Sequence, residues 1–188
     1  MKNSVTGLLR VLALALVVAV PLVSPTVASA ASKAELNESS KRVLDNLLAR
    51  EPAAKALYSK AVAVLVFPSI TKAGFVVGGQ YGEGVLWKGG KPIGYYNTAG
   101  ASYGLQAGAQ KYGYAMFFMK QKALNYLDSS QGFEVGFGPS VVVIDQGMAK
   151  SLTSTTVTED VYAFVFGQQG LMAGVGIQGN KITKINPK

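Results

Sequence analysis

The sequence lacks two chemically versatile residue types and is short of acids. Its 188 residues include no cysteine and no histidine, and 10 acidic side chains stand against 18 lysines and arginines. Without cysteine or histidine the usual zinc sites, iron–sulfur clusters, disulfide frameworks and histidine-dependent nucleophiles cannot be built. We therefore expect that the protein holds no metal and no cofactor. We also expect that it is not an enzyme, because catalysis would rest on Lys, Tyr, Ser or lone carboxylates.

The composition also argues against disorder. Hydrophobic residues make up 49% of the chain and charged residues only 15%, which is enough apolar material for a packed core. The length suits one domain, and a chain of this size buries enough surface to be stable without disulfides.

Residues 1–30 have the pattern of an export signal. A basic start precedes an unbroken apolar run over 11–20, and Ala28-Ser29-Ala30 is the small-residue pattern that signal peptidase reads. Ten apolar residues are too few for a membrane-spanning helix, which needs about 20. We expect cleavage after Ala30 and a periplasmic or secreted protein, residues 31–188, that is peripheral to the membrane.

The start of this expected mature chain predicts two helices. Ser32 and Glu35 have the spacing of a capping box, and leucines then recur at helical intervals over 36–48. Pro52 suits the first turn of a second helix over 53–60, because its missing N–H is not needed there.

From residue 61 the pattern changes to β structure. Gly89-Gly90 and Gly179-Asn180 have the length and conformational freedom of hairpin turns. Twelve glycines between Gly74 and Gly113 indicate bulges and sharp bends, and an exposed loop is expected over 146–159. Strands are predicted over 61–67, closed by Pro68, and over 75–81, 84–88, 99–109, 112–119, 133–137, 141–144, 161–166, 171–178 and 181–185.

Most of these strands follow one another without a helical crossover, so the sheet is expected to be largely antiparallel. The predicted fold class is α+β. N-terminal helices over 31–60 precede a largely antiparallel, strongly bent β-sheet or barrel over 61–188, with one short helix inserted over 120–128. The two segments are expected to form a single domain.

Two motifs invite a chemical interpretation. Gly174 to Gly179 has the spacing of a dinucleotide-binding loop, but too few residues follow it for the required helix and second strand. Glu83 lies between Gly82 and Gly84, a setting in which an acid can be buried and paired with a lysine. We interpret the other acids outside the N-terminal helices as solvated charges.

The basic residues are the best candidates for a binding surface. Lysines near Tyr95, Tyr96, Tyr112 and Tyr114 suit a membrane interface, where rings lie at headgroup level, and Trp87 is expected at the edge of the first hairpin. The alternative is that the rings are core and the lysines only solubilise the surface, and the residues alone leave both open. The candidate ligand-binding residues are Lys72, Trp87, Lys88, Lys91, Lys111, Lys120 and Lys122.

Net charge indicates the class of partner. Loss of Lys2 and Arg10 with the signal lowers the net charge from +8 to +6, so the basic excess stays with the exported chain. We expect an anionic phospholipid or membrane surface and no nucleic acid. At roughly 1 kcal/mol per lysine, three or four lysines reach only about millimolar affinity, so apolar insertion is needed as well.

Several segments, in order, resemble the SYLF domain family. They are Val66-Phe67-Pro68-Ser69, Lys72-Ala73-Gly74-Phe75, Gly82-Glu83-Gly84, Gly94-Tyr95-Tyr96, the run from Gly104 to Gln110, Phe164-Val165-Phe166-Gly167 and the run from Gly170 to Gly174. The resemblance spans about Leu36 to Ile185.

The resemblance implies a lipid-binding module rather than an enzyme. Eukaryotic members are associated with phosphoinositides and some fungal relatives with actin, whereas bacterial members are stand-alone exported versions. An exported protein does not meet those cytosolic ligands, so they are not carried over. The helix over 36–48 corresponds to a membrane-contacting helix of some members or packs on the sheet. A structural protein of the cell envelope that binds a protein or polysaccharide is the alternative function.

Overall fold

The computed structural model describes residues 31–129, 133–144, 157–170, 177 and 179–188. The predicted signal over 1–30, most of the strand predicted over 171–178 with its glycine motif, and most of the loop predicted over 146–159 lie outside these residues. The elements, in order, are α1 (Lys33–Arg50), α2 (Pro52–Tyr58), β1 (Ala63–Lys88), β2 (Lys91–Phe118), α3 (Gln121–Ser129), β3 (Phe133–Glu134), β4 (Val141–Ile144), β5 (Val161–Gly170) and β6 (Lys181–Ile185).

The helices begin where the sequence predicts. Ser32 and Glu35 form the capping box of α1, in which each side chain bonds to the other residue's backbone N–H. Pro52 is the first residue of α2. Both helices bury leucines and alanines against the sheet, so the leucine face of α1 is occupied by packing.

The strands β1 and β2 form one long antiparallel hairpin that runs from the Ala63–Phe118 pair to the Lys88–Lys91 pair. The separate strands predicted over 61–88 and 99–119 are therefore continuous. Pro68 does not close a strand: it lies in an irregularity between Phe67 and Ile70, where three steps on β1 oppose two on β2. A bulge tolerates proline because its missing N–H breaks no regular ladder bond.

The hairpin folds back on itself near Gly74. A side chain on Gly82 would clash with Ser69 and Ile70, and one on Gly84 would clash with the carbonyl oxygen of Val66. The two halves of β1 therefore approach each other backbone to backbone, which only glycine permits. The dense glycines of this segment bend the sheet, as the sequence predicts.

The other strands join β2 along its second edge. The first part of β2 pairs with β6 and the last part with β5, which gives the order β3-β6-β2-β5-β4, with β1 on the other edge of β2. All these pairings are antiparallel except that of β4 with β5. The α+β class and the strongly bent, largely antiparallel sheet are confirmed. The strand predicted over 133–137 is shorter, because a turn with Gly136 at a φ of 107° follows Glu134.

Two apolar cores cover the two faces of the bent sheet. The inner face carries Leu65, Phe67 and Met116 and is covered by α3 through Leu124 and Leu127. The outer face is covered by α1 and α2. Within the described residues, no helix is long and apolar enough to cross a membrane.

Candidate functional site

The end of the long hairpin, residues 88–93, is exposed and carries two lysines, and we call it the hairpin tip. Gly89 and Gly90 have φ values of 57° and 75°, which is the conformation of the tight two-residue turn predicted there. Lys88 and Lys91 are exposed and stand directly opposite each other. Ile93, next to them, has 48% of its surface exposed.

The two tip lysines have no acidic partner among the residues that the structure describes. Like charges directly opposite each other on a hairpin are unfavourable for folding. Their placement therefore contributes nothing to stability, and an external anion would relieve the repulsion.

Trp87 is not part of this exposed tip. Its side chain is 7% exposed, packs in the outer core with α1, and donates an Nε1–H hydrogen bond to Ser40 Oγ at 3.2 Å. The expectation that the Trp87 side chain lies at the edge of the hairpin is wrong. Successive side chains of β1 point to opposite faces of the sheet, and that of Trp87 points to the face that α1 covers. Ile93 is the exposed apolar side chain at the tip instead.

The tyrosines predicted for a membrane interface also turn inward. Tyr96, Tyr112 and Tyr114 are buried in the inner core, and Tyr95 is half-buried against the outer one. Of the two interpretations that the sequence leaves open, the one in which these rings belong to the core agrees with the structure. Tyr112 and Tyr114 donate to Gln80 and Thr98 inside the sheet, and Tyr96 donates to Asp128 of α3.

Lys120 and Lys122, at the start of α3, share one carboxylate. Their ammonium groups lie 3.0 and 3.1 Å from Asp160 Oδ1, and Asp160 Oδ2 accepts a hydrogen bond from the Ser140 N–H. Burial raises the pKa of Asp160, but the bonds from the two lysines and Ser140 outweigh it and hold the pKa below its ordinary value. Asp160 is thus a buried, paired acid and not the solvated charge that we expected.

Lys72 and Lys111 occupy opposite faces of the same strand pair. Lys72 stands opposite Gln110, on the inner face that Ile70 and Tyr112 share, and is half-buried. Lys111 stands opposite Thr71 on the outer face and is exposed. No described acidic residue forms an ion pair with either lysine.

Beyond the apolar part of the inner face, toward the bend, lies a group of buried polar side chains that we call the polar cluster: Gln80, Thr98, Gln110, Tyr112, Tyr114 and Asn180. The Gln80 amide donates to Asn180 Oδ1 and accepts from the Tyr112 hydroxyl at 2.6 Å. Tyr114 donates to Thr98 Oγ1 at 2.9 Å. These bonds connect β1, β2 and the residue before β6 across the inner face.

Gln110 Oε1 accepts no hydrogen bond from a described residue, and Asn180 Nδ2 donates none that is well aligned, although the Asn180 amide lies beside the Tyr112 and Tyr114 hydroxyl groups. Gln110 is 2% exposed and Asn180 is fully buried. Burial raises the pKa of Tyr112 to about 12 and raises that of Tyr114, so both hydroxyl groups stay protonated at neutral pH. Both tyrosine protons are already donated, to Gln80 and Thr98, so the cluster can offer a ligand an amide N–H and the carbonyl of Gln110.

Glu83 has a different partner from the one predicted. It is half-buried and accepts a hydrogen bond from Tyr81 at 2.9 Å, and no described lysine lies within ion-pair distance. The pKa of Tyr81 is raised by partial burial and by this bond to Glu83. In the described part of the chain, no group of three or more acidic side chains could hold a metal ion.

Sequence reasoning missed the polar cluster and the paired role of Asp160. The signal for Gln110 was present, because it shares the two-residue alternation of Tyr112, Tyr114 and Met116 and must face the same side. Asn180 and Asp160 gave no such signal, since each precedes a strand and meets its partners only through the fold.

Comparison with known families gives one match. A family model described as "Ysc84: Las17-binding protein actin regulator" matches residues 99–187. The matched segment begins within β2 and includes α3 and the strands from β3 to β6. No curated protein matches the chain.

Proposed function

Through residues 99–187 the chain belongs to the SYLF (Ysc84) family, and on this premise we propose that it binds anionic phospholipid headgroups at a membrane surface. The family is one of lipid-binding and interaction modules. The family alone indicates no more than that; the anionic phospholipid, the membrane surface and the absence of catalysis are our proposal. We also propose that the signal predicted over 1–30 exports the protein, to a compartment where bilayer surfaces are available.

The observation that carries the proposal is the hairpin tip. Lys88 and Lys91 present two ammonium groups that form no ion pair with a described acidic residue, on a tight two-residue turn, and Ile93 adds an exposed apolar side chain beside them. Phosphate satisfies the ammonium groups, and Ile93 supplies the apolar insertion that charge alone lacks.

The other candidate lysines contribute less to this surface. Lys120 and Lys122 are partly neutralised by Asp160, and Lys111 faces outward near the bend. At about 1 kcal/mol per lysine, the tip pair supplies roughly 2 kcal/mol, a factor of about 30 in affinity. We therefore propose weak, salt-sensitive membrane contact.

Vesicle flotation of residues 31–188, which contain every helix and strand described, tests the proposal. We expect recovery with anionic vesicles at low salt, less at moderate salt because exposed charges are screened, and little with zwitterionic vesicles. Equal recovery with anionic vesicles, zwitterionic vesicles and no vesicles would refute the proposal.

One observation favours a second function, a binding surface for a protein or polysaccharide of the envelope. Where the sheet extends beyond α1, its outer face exposes Val77, Tyr81, Ala99 and Ala101, with Lys181 opposite Ala99. Enrichment of one envelope component on the immobilised protein, lost in Val77→Lys and retained in Lys88→Glu, would support this alternative.

A further inference from the structure

Three observations on the inner face meet near the bend of the hairpin. Lys72 lies there half-buried without an ion pair among the described residues, directly opposite Gln110. Gln110 Oε1 is a buried acceptor without a donor among the described residues, and Asn180 Nδ2 is a buried donor that meets the Tyr112 and Tyr114 oxygens without a well-aligned hydrogen bond. Leaving such atoms unpaired costs about 1–3 kcal/mol each, so their retention calls for an explanation.

The groups are contiguous through the fold. Asn180 is bonded to Gln80, Gln80 to Tyr112, and Tyr112 is next but one to Gln110 on the same face of β2. A Cβ on Gly100 would fall against Asn180 Oδ1 and 3.2 Å from Gln80 Nε2. Glycine at position 100 therefore lets the two amides lie against β2.

The chemistry of these groups selects a ligand. An ammonium group and an amide N–H together suit an anion with several acceptor oxygens, whereas the Tyr112 hydroxyl already donates its one proton to Gln80. The free carbonyl of Gln110 requires a donor from the same ligand. A phosphate ester that carries a neighbouring hydroxyl group meets all of these requirements, whereas inorganic phosphate or an uncharged polyol meets only some of them.

We propose that Lys72, Gln110 and Asn180 form a binding site for a glycerophosphate group, with phosphate oxygens on Lys72 Nζ and Asn180 Nδ2 and a glycerol hydroxyl donating to Gln110 Oε1. The choice of phosphate over another oxyanion rests on the proposed function. The site is separate from the hairpin tip, which attracts the membrane surface, and it selects one headgroup.

The chain contains a matched control for the main variant. Lys111 follows Gln110 directly and faces outward, so Lys111→Gln removes the same charge as Lys72→Gln from the opposite face of the sheet. Calorimetric titration of residues 31–188 with glycerol 3-phosphate, inorganic phosphate and glycerol measures the preference.

We expect glycerol 3-phosphate to bind about tenfold or more tightly than either partial ligand. Lys72→Gln and Gln110→Leu should each weaken it by about tenfold, and Lys111→Gln by less than about twofold, since one good charged or hydrogen-bonded contact corresponds to roughly 1.4 kcal/mol. Equal binding of inorganic phosphate, or equal loss with Lys111→Gln, would overturn the site. The site would also be overturned if Lys72→Gln and Gln110→Leu both bound glycerol 3-phosphate as tightly as the unchanged protein while their circular dichroism spectra and melting temperatures matched its own.

Vesicles of phosphatidylglycerol separate the two sources of this group. If Lys72→Gln lowers both vesicle recovery and glycerol 3-phosphate affinity, the ligand is a lipid headgroup. If it lowers only the affinity for the soluble compound, the ligand is the free phosphate ester. Vesicle binding without glycerol 3-phosphate binding would overturn this inference alone, and the reverse would overturn only the proposed membrane function.

Discussion

The inner face of the long hairpin has an apolar part and a polar part, although both lie on the same two strands. Near α3 it carries Leu65, Met116 and Phe118, all fully buried in the inner core. Toward the bend it carries the buried amides of Gln80 and Gln110, and Gln80 bonds to the buried amide of Asn180, which precedes β6. The apolar part accounts for stability. The polar part keeps unpaired atoms that a core optimised for stability alone would replace.

Truncation in the apolar part should have the largest effect on folding. Leu65→Ala is expected to lower the free energy of unfolding by about 2–5 kcal/mol, because it removes transfer energy and leaves a cavity. Gln110→Leu, on the polar part of the same face, should change it by less than about 1 kcal/mol, since an unpaired carbonyl is removed. Urea unfolding measures both. A loss for Gln110→Leu as large as that for Leu65→Ala would remove the distinction.

The hairpin tip should show the converse behaviour, with a large effect on binding and a small one on stability. Lys88→Glu with Lys91→Glu is expected to weaken anionic-vesicle binding by about 30-fold or more, because two attractions of roughly 1 kcal/mol become repulsions. Vesicle co-sedimentation at several lipid concentrations gives the ratio.

The matched control for this variant lies in and just after α2, before the start of β1 and away from the hairpin tip. Lys55 and Lys60, in and just after α2, are exposed, and Lys55→Glu with Lys60→Glu changes the net charge by the same amount. If the control pair weakens vesicle binding as strongly as the tip pair, net charge accounts for the binding and the tip has no special role.

The buried tryptophan sharpens the contrast between the tip and the core. Trp87→Phe should lower the free energy of unfolding by about 1–2 kcal/mol through lost packing and the lost bond to Ser40, and Ser40→Ala by about 1 kcal/mol. A double-mutant cycle by thermal unfolding measures the coupling. Vesicle binding should be unchanged in Trp87→Phe, and a loss there would return Trp87 to the binding surface.

The smallest effect is a dependence on pH. Because the folded pKa of Asp160 is lowered, its stabilising contribution is complete above the unfolded carboxyl value of about 4 and is lost as pH falls through the folded value. Asp160→Asn should cost of the order of 1 kcal/mol at pH 7, since the two lysines are exposed, and less below pH 4. Unfolding at pH 7 and pH 3 tests this, and a constant difference would contradict it.

Helix starts and turns could be predicted from the sequence where neighbouring residues determine them. The capping box of α1, Pro52 at the start of α2 and the Gly89-Gly90 turn depend on neighbouring residues and agree with the structure. The continuity of β1 through Pro68 was not predictable, because the bulge that accommodates the proline exists only against β2.

Placing the site requires the fold. Lys88 and Lys91 could be placed from their turn, but burial of Trp87 depends on α1, which lies 47 residues earlier at Ser40. Similarly, Lys72 and Lys111 are equivalent candidates in the sequence, and only the pairing register assigns them to opposite faces. Long-range packing therefore separates the lysines that could bind ligand from those engaged with Asp160.

The most direct test of the tip as the membrane contact is paramagnetic broadening of backbone amide signals on anionic nanodiscs that carry a headgroup-chelated paramagnetic ion. Gly89 and Gly90 lie between the two lysines, so their amides report on the tip directly. The account predicts that these two signals broaden most, while amides around Lys55 in α2 remain sharp. Uniform broadening, or stronger broadening in α2 than at the two glycines, would contradict it.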